Sequence, residues 1–175
     1  RLKGHIGDIT SCSFSPNSKY LISGGEDRTI HLWDFQSGEC LQILKGHTNK
    51  VIQCEFSQDG RQIISIDEDK NIMRWKSTAD GWIFLFQSPL DYVTNCGFVP
   101  RHNESLFFRT RNNRPLFYHS TSGKYVGKCP NTFSQEFAAI SRFSPEGKQL
   151  VIGNSHGVQN ILDYIRGHLT KSIEK

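Results

Sequence analysis

Short runs of alternating apolar and polar residues recur along this chain, and each run ends at residues that favour reverse turns. The clearest example is Ile-Thr-Ser-Cys-Ser-Phe at residues 9–14, followed by Ser-Pro-Asn-Ser at 15–18. Proline presets φ, and asparagine can hydrogen-bond its own backbone, so both favour turns. No stretch shows a sustained helical period. The pattern therefore predicts an all-β protein of short antiparallel strands.

The same strand pattern repeats along the chain. The segment at residues 9–14 matches segments at 51–56 and 93–98, each 42 positions further on, and a fourth copy at 138–143 follows after 45. Turn residues and further β-rich stretches follow each copy. The spacing predicts four units, each containing four short strands.

Dipeptides mark the ends of the first two units. A Gly-His pair opens them at residues 4–5 and 46–47, and a Trp-Asp pair closes the first at 33–34, whereas Lys76 follows Trp75 in the second. With four strands in 40 to 45 residues, these signatures resemble the WD-repeat β-propeller family. The last two units keep the strand pattern and lose most of the signature.

The resemblance implies an all-β propeller segment with four blades, each a four-stranded antiparallel sheet. The predicted blades lie at about residues 1–45, 46–87, 88–130 and 131–175. An open arc of four blades would expose an apolar flank at each end. We therefore expect closure by the remaining blades of a larger propeller or by a second chain.

The first two repeats each contain a histidine, a serine, an aspartate and a tryptophan at matching positions. Such residues also occur in hydrolase triads, but no Gly-x-Ser-x-Gly turn accompanies them. The family resemblance implies a buried hydrogen-bond network instead, and it implies that the chain is not an enzyme. The predicted networks are His5, Ser23, Asp27 and Trp33 in the first repeat, and His47, Ser65, Asp69 and Trp75 in the second.

The cysteines and histidines do not form patterns typical of metal or redox sites. No pair among the five cysteines is spaced Cys-x-x-Cys, and Cys12, Cys54 and Cys96 share one repeat position, which predicts small buried packing residues. We expect no metal, no cofactor and reduced thiols, as in a cytoplasmic or nuclear protein. No apolar run is long enough to span a membrane.

In the WD-repeat family, contact residues often lie before the first strand of a blade and before the network aspartate. The resemblance therefore implies a scaffold that binds other proteins within a multiprotein assembly. The alternative for each position is an ordinary solvated loop residue. The predicted partner-binding residues are Ile6, Asp8, Glu26, Thr48, Lys50, Glu68, Tyr92, Arg111 and Phe137.

Charge favours one alternative function. Residues 88–130 contain six basic and two acidic residues, so this segment carries the whole net charge of +4. Arg109, Arg111 and Arg114 lie among aromatic residues there, a combination that can bind a nucleic-acid backbone and stack on bases. RNA or phosphate binding by the third blade is therefore the alternative function.

Overall fold

The chain folds into strands throughout the part that the structure describes. In this computed structural model that part comprises the backbone of residues 2–89, 93–99, 102–110, 115–119, 125–128, 138–144, 146, 148–154, 159–163 and 168–173, and the side chains of residues 2–85, 96–99, 143–144, 146 and 148–151. Within these residues, no helix is long and apolar enough to cross a membrane.

The strands form four four-stranded sheets, each built from strands consecutive in sequence. The first sheet contains β1 (Ile9–Phe14), β2 (Tyr20–Gly25), β3 (Thr29–Asp34) and β4 (Cys40–Lys45), and the second contains β5 (Val51–Phe56), β6 (Gln62–Asp67), β7 (Asn71–Thr78) and β8 (Gly81–Pro89). The third contains β9 (Val93–Val99), β10 (His102–Thr110), β11 (Pro115–His119) and β12 (Tyr125–Lys128), and the fourth contains β13 (Ala138–Phe143), β14 (Gln149–Asn154), β15 (Gln159–Asp163) and β16 (His168–Ile173). The predicted all-β architecture of four-stranded sheets is confirmed.

The chain divides into two compact units. Residues 1–91 and 96–98 form the first unit, and residues 92–95 and 99–175 form the second. In the second unit, β14 pairs antiparallel with β13 and β15. The first unit holds the two sheets whose repeats begin with Gly-His, and nearly all of the described side chains lie in it.

An apolar core joins the first and second sheets. Ile22, Ile30 and Leu32 of the first sheet pack against residues of the second that include Phe56 and Ile63, and all of these side chains are buried. Alternation places these residues on the facing surfaces of the two sheets. Removal of this apolar surface from water is the main stabilising contribution to the pairing of the sheets.

Polar side chains also cross between these two sheets. The Ser11 hydroxyl accepts a hydrogen bond from the backbone N–H of Cys54 at 3.0 Å. At the outer strands, the side-chain amide of Gln42 donates to the Trp82 carbonyl at 3.0 Å and accepts from the Trp82 N–H at 2.9 Å. These bonds satisfy backbone groups of the second sheet and fix its register against the first.

The burial expected at the shared cysteine position holds for two of the three cysteines. Cys54 and Cys96 are buried, and burial raises the pKa of the Cys54 thiol to about 12. Cys12 is exposed, so the prediction for this residue was wrong. The reason is that Ser11 points at the second sheet, so alternation along β1 turns the Cys12 side chain to the opposite side of the first sheet.

This side of the first sheet, here called the open face, carries Ile9, Cys12 and Phe14. The equivalent residues of the second sheet, Val51, Cys54 and Phe56, point at the first sheet and are buried. Phe14 is 51% exposed and Phe56 only 6%. The same repeat positions thus carry apolar residues in both sheets, but only those of the second sheet are covered within the described residues.

Candidate interaction site at the loops of the first two sheets

A hydrogen-bond network anchors the loop before β1 to the first sheet. His5 Nδ1 lies 2.8 Å from Asp27 Oδ2, and His5 Nε2 lies 2.7 Å from the Ser23 hydroxyl oxygen. The Trp33 indole N–H donates to the same hydroxyl at 2.8 Å. Ser23 is buried, and its hydroxyl joins the His5 ring to the Trp33 indole within this network.

Asp27 also holds the backbone on either side of the network. Its carboxylate accepts hydrogen bonds from the Ile6 N–H at 3.0 Å and from the N–H and hydroxyl of Thr29 at 3.2 and 2.8 Å. Burial by itself would raise the pKa of this carboxyl, but the hydrogen bonds outweigh it and lower the pKa to about 2. A fixed charge therefore positions the loop that carries Ile6.

The second sheet has a similar network with a different aspartate. His47 Nδ1 lies 3.0 Å from Asp67 Oδ2, and His47 Nε2 lies 2.7 Å from the Ser65 hydroxyl oxygen, to which the Trp75 indole N–H donates at 3.2 Å. The repeat alignment predicted Asp69 in this role, and that prediction was wrong. Asp69 is exposed, and its carboxylate accepts a hydrogen bond from the Asn49 side chain at 3.1 Å.

The geometry of the first sheet explains why Asp67, and not Asp69, bonds His47. Asp67 lies 42 positions after Gly25 and is its equivalent in the second repeat. A Cβ atom built on Gly25 would lie 3.1 Å from His5 Nδ1 and 3.4 Å from Asp27 Oδ1. A carboxylate attached at that position therefore reaches the histidine directly, and the aspartate two residues later is left at the surface.

The predicted contact residues of the first two repeats lie on the loops that these networks hold. Ile6 is 82% exposed, Lys50 is partly exposed, and Asp8, Glu26, Thr48 and Glu68 are exposed. We call these six residues the loop surface. In each repeat one backbone bond joins the two loops, from Glu26 N–H to the Asp8 carbonyl and from Glu68 N–H to the Lys50 carbonyl, both at 3.0 Å.

Three other predicted contact residues, Tyr92, Arg111 and Phe137, lie outside the described residues. For the basic and aromatic segment of the third sheet, the structure describes backbone pairing only. Phe107 pairs with Phe117, and Arg109 pairs with Pro115. RNA or phosphate binding by this sheet stays a prediction.

Comparison with known proteins identifies the repeats. The family model for the WD domain, G-beta repeat, matches residues 1–34 and 38–76. Residues 1–34 and 38–76 are WD repeats. The two matched segments supply the first two sheets up to β7, together with both hydrogen-bond networks.

Individual relatives match this chain over about one repeat. A ribosome biogenesis protein BOP1 homolog of Monosiga brevicollis is 36% identical over 42 residues, which are 24% of this chain and 5% of that protein. Mitochondrial division protein 1 of Eremothecium gossypii is 50% identical over 40 residues, 23% of this chain and 5% of that protein. Small ribosomal subunit protein RACK1 of Schizosaccharomyces pombe is 45% identical over 40 residues, which are 23% of this chain and 13% of that protein. The matches therefore span only a small part of each relative.

One member of the cluster behind the loop surface escaped the sequence analysis. His31 is buried and stacks on His5, with ring centroids 3.9 Å apart and an angle of 26° between the ring planes. Its Nε2 atom lies 3.9 Å from Asp27 Oδ2, and its Nδ1 atom lies 3.7 Å from Cys40 Sγ. Strand alternation could have indicated its place, because it puts residue 31 on the same face of β3 as Trp33.

Potential metal ligands come together in this cluster. One atom from each of His5, Asp27 and His31 lies within 4.8 Å of the others. The two imidazole rings are nearly parallel, however, so their nitrogens do not converge on one point as tetrahedral coordination requires. The His5 nitrogen also already has its hydrogen bond to Asp27. We therefore interpret the cluster as a stacked structural pair.

The stacked pair should make the stability of the first sheet sensitive to pH. Burial and the neighbouring His5 lower the pKa of His31 below 6.5, against the opposing effect of Asp27, while burial keeps the nearby Cys40 thiol neutral by raising its pKa. The folded state therefore binds this proton less readily than the unfolded state. Its contribution to stability is complete above the unfolded pKa and is lost as pH falls from that value through the lower folded pKa.

His31→Met tests this expectation, because Met73 occupies the equivalent position in the second sheet. As pH falls from about 7.5 to 5.5, the wild type should lose unfolding free energy relative to the variant. The slope is at most about 1.4 kcal/mol per pH unit, the limit for one proton. Urea unfolding across this range measures it. Parallel stability curves for the two proteins would contradict the expectation.

Proposed function

We propose that this WD-repeat chain is a non-catalytic scaffold that binds other proteins through the loop surface, within a multiprotein assembly inside the cell. The observation that supports this proposal most strongly is the exposure of Ile6 on a loop that is held in place by hydrogen bonds. Ile6 is a large apolar side chain, 82% exposed, on a loop whose backbone is bonded to a buried network. A rigid loop that presents apolar surface to water is suited to recognition, since little conformational entropy is lost on binding.

The names of the relatives are consistent with this proposal. RACK1 of Schizosaccharomyces pombe is named as a small ribosomal subunit protein, and the BOP1 homolog as a ribosome biogenesis protein. The first name describes a component of the small ribosomal subunit. For the present chain, membership of an assembly rests on the loop surface and on the open face.

Site-specific photocross-linking tests the proposal. A photoreactive amino acid replaces Ile6 in one variant, and Gln36, in the turn between β3 and β4, in a matched control. Both positions are exposed, but they lie at opposite ends of the first sheet. Inside cells of the source organism, we expect cross-links to discrete proteins from position 6 and not from position 36. Equal cross-linking from both positions, or none from position 6, would refute the proposal.

We also propose that another β-sheet covers the open face of the first sheet, supplied by further propeller blades or by a second chain. The packing of the first two sheets supports this proposal. In the second sheet the same repeat positions are buried against Ile22 and Leu32 of the first sheet. Light scattering on the 175-residue chain tests this proposal. We expect dimers or larger species, and a stable monomer of 20.0 kDa would argue strongly against it.

A further inference from the structure

The first strands of successive sheets are bridged by polar side chains. The Ser11 hydroxyl of β1 accepts a hydrogen bond from the Cys54 N–H of β5 at 3.0 Å. The Gln53 side chain of β5 accepts one from the Cys96 N–H of β9 at 3.2 Å and donates to the Cys96 carbonyl at 2.6 Å. Ser11 and Gln53 share one repeat position, as Cys54 and Cys96 do. The same polar bridge thus occurs twice in the described residues.

Burial explains why the bridge is needed. β5 is an edge strand of its sheet, so alternate N–H groups point away from β6. Cys54 and Phe56 carry such groups, and these residues are only 3% and 6% exposed. A backbone N–H that has left water needs an acceptor within the protein. Ser11 supplies it for Cys54, and the Ser13 hydroxyl accepts from the Phe56 N–H at 3.5 Å.

The corresponding N–H groups of β1 belong to Cys12 and Phe14. Cys12 pairs with Ser23 in the register in which Cys54 pairs with Ser65, so these N–H groups also point away from their own sheet. Within the described residues, no side chain accepts a hydrogen bond from either group. Both residues lie on the open face. A sheet that covers this face removes the two N–H groups from water and must therefore bring acceptors.

The fourth sheet of this chain lacks such acceptors. In β13 the positions of Ser11 and Ser13 are occupied by Ile140 and Arg142. Isoleucine has no polar side-chain atom, and the guanidinium of arginine only donates hydrogen bonds. Head-to-tail pairing with a second copy of this chain would leave both N–H groups of β1 without a side-chain acceptor, which is unfavourable for buried donors.

We propose that the sheet covering the open face carries serine, threonine, asparagine or glutamine at the position equivalent to Ser11, and that this side chain accepts a hydrogen bond from the Cys12 N–H. The occupant is therefore a β-sheet with a polar first strand, and not the fourth sheet of a second copy. Ile9 and Phe14 supply apolar contact, as Val51 does in the core of the first two sheets. The inference rests on the proposed covering of the open face and specifies the chemistry of the covering sheet.

The probe is an added copy of the first repeat, residues 4–45, joined directly before Gly4 of the full chain. This junction reproduces the Lys-Gly-His sequence at residues 45–47, and the added sheet brings its own Ser11 to the open face. Cys12→Ser in the added copy leaves the original Cys12 as the thiol that reports on this face. Circular dichroism checks that the extended chain retains its strands.

Thiol labelling followed by mass spectrometry measures the exposure of the original Cys12. This residue is exposed in the chain without the added copy. With the added copy we expect its labelling rate to fall at least about tenfold, because a covered thiol reacts only when the sheets separate.

Ser11→Ala in the added copy removes the acceptor and keeps the apolar surface. We expect labelling of the original Cys12 to become about fivefold faster again, the effect of one hydrogen bond. Ser11→Thr, which keeps the hydroxyl, should restore the protection. Ser37→Ala in the exposed turn between β3 and β4 of the added copy is the control for loss of a hydroxyl elsewhere, and it should change nothing.

The existing bridge provides a second measurement that needs no added copy. In the 175-residue chain, Ser11→Ala removes the acceptor of the Cys54 N–H, and we expect labelling of the buried Cys54 thiol to become about fivefold faster. Ser11→Thr should label Cys54 as slowly as wild type. An unchanged rate with Ser11→Ala would overturn the inference, because the bridge would then contribute nothing where it is present.

Two results with the added copy would also overturn the inference. One is equal protection of Cys12 with and without the Ser11→Ala change. The other is equal protection by an added copy of the fourth repeat, residues 131–175. Both results leave the proposed covering of the open face intact, since a sheet still covers Cys12. A folded extended chain in which Cys12 labels as fast as before would instead refute the covering itself, so the two failures are distinguishable.

Discussion

Replacement of Asp67 by alanine is expected to lower the free energy of unfolding by about 2–4 kcal/mol. The Asp67 side chain is fully buried and accepts hydrogen bonds from His47 at 3.0 Å and from the backbone and side-chain N–H groups of Asn71 at 2.9 and 3.2 Å. Alanine would leave these donors in a buried site without their acceptor. The loop before β5, which His47 anchors, should loosen at the same time.

Asp69→Ala is the matched control, two residues away and identical in chemistry. Asp69 is exposed, so we expect a change in unfolding free energy below about 0.5 kcal/mol. Urea unfolding followed by tryptophan fluorescence measures both variants, with Trp75 reporting on the network. Equal destabilisation, or a larger effect of Asp69→Ala, would show that the repeat alignment and not the structure identifies the aspartate of the second network.

Phe56→Ala is expected to destabilise the chain by about 3–5 kcal/mol, the usual cost of removing a buried phenylalanine. Phe56 is 6% exposed in the core between the first two sheets, and its ring meets that of Trp82 edge-on at 5.8 Å. The substitution removes the ring from this core and leaves a cavity between the sheets. Denaturant unfolding measures the loss.

Phe14→Ala provides the comparison at the same repeat position. Phe14 is 51% exposed, and it makes an edge-on contact with Phe35 at 4.8 Å. We expect a cost below about 1.5 kcal/mol, the upper range for an aromatic pair. In light scattering, the same variant should reduce association through the open face. A cost equal to that of Phe56→Ala without any effect on association would contradict both the described exposure and the proposed covering of this face.

The contrast between Asp67 and Asp69 shows where sequence reasoning reached its limit. The repeat alignment finds the histidine, serine and tryptophan of each network because these residues sit at constant offsets from the strands. The aspartate lies at the tight turn between the second and third strands, and two carboxylates within three residues can both reach this region. Only the path of the backbone decides which one points at His47.

The loop surface shows a similar limit. The family resemblance supplied its positions, but it did not show that Lys50 pairs with Glu68 while the Glu26 carboxylate accepts a hydrogen bond from the Asp8 backbone. Charge pairing depends on which side chains two separate loops bring within about 4 Å of each other. The sequence separates the members of each pair by 18 residues, so composition and spacing did not reveal the difference.

The sequence by itself determined the strands, the turns and the repeat of this protein, because these follow from local preferences. Alternation with a period of two defines a strand, and residues such as Pro16 and Gly60 define the turns that follow. The tertiary structure alone decided which equivalent residues are covered, which aspartate completes a network, and where His31 stacks. These outcomes depend on contacts between segments distant in sequence, and equal positions in a repeat have different neighbours once the sheets pack.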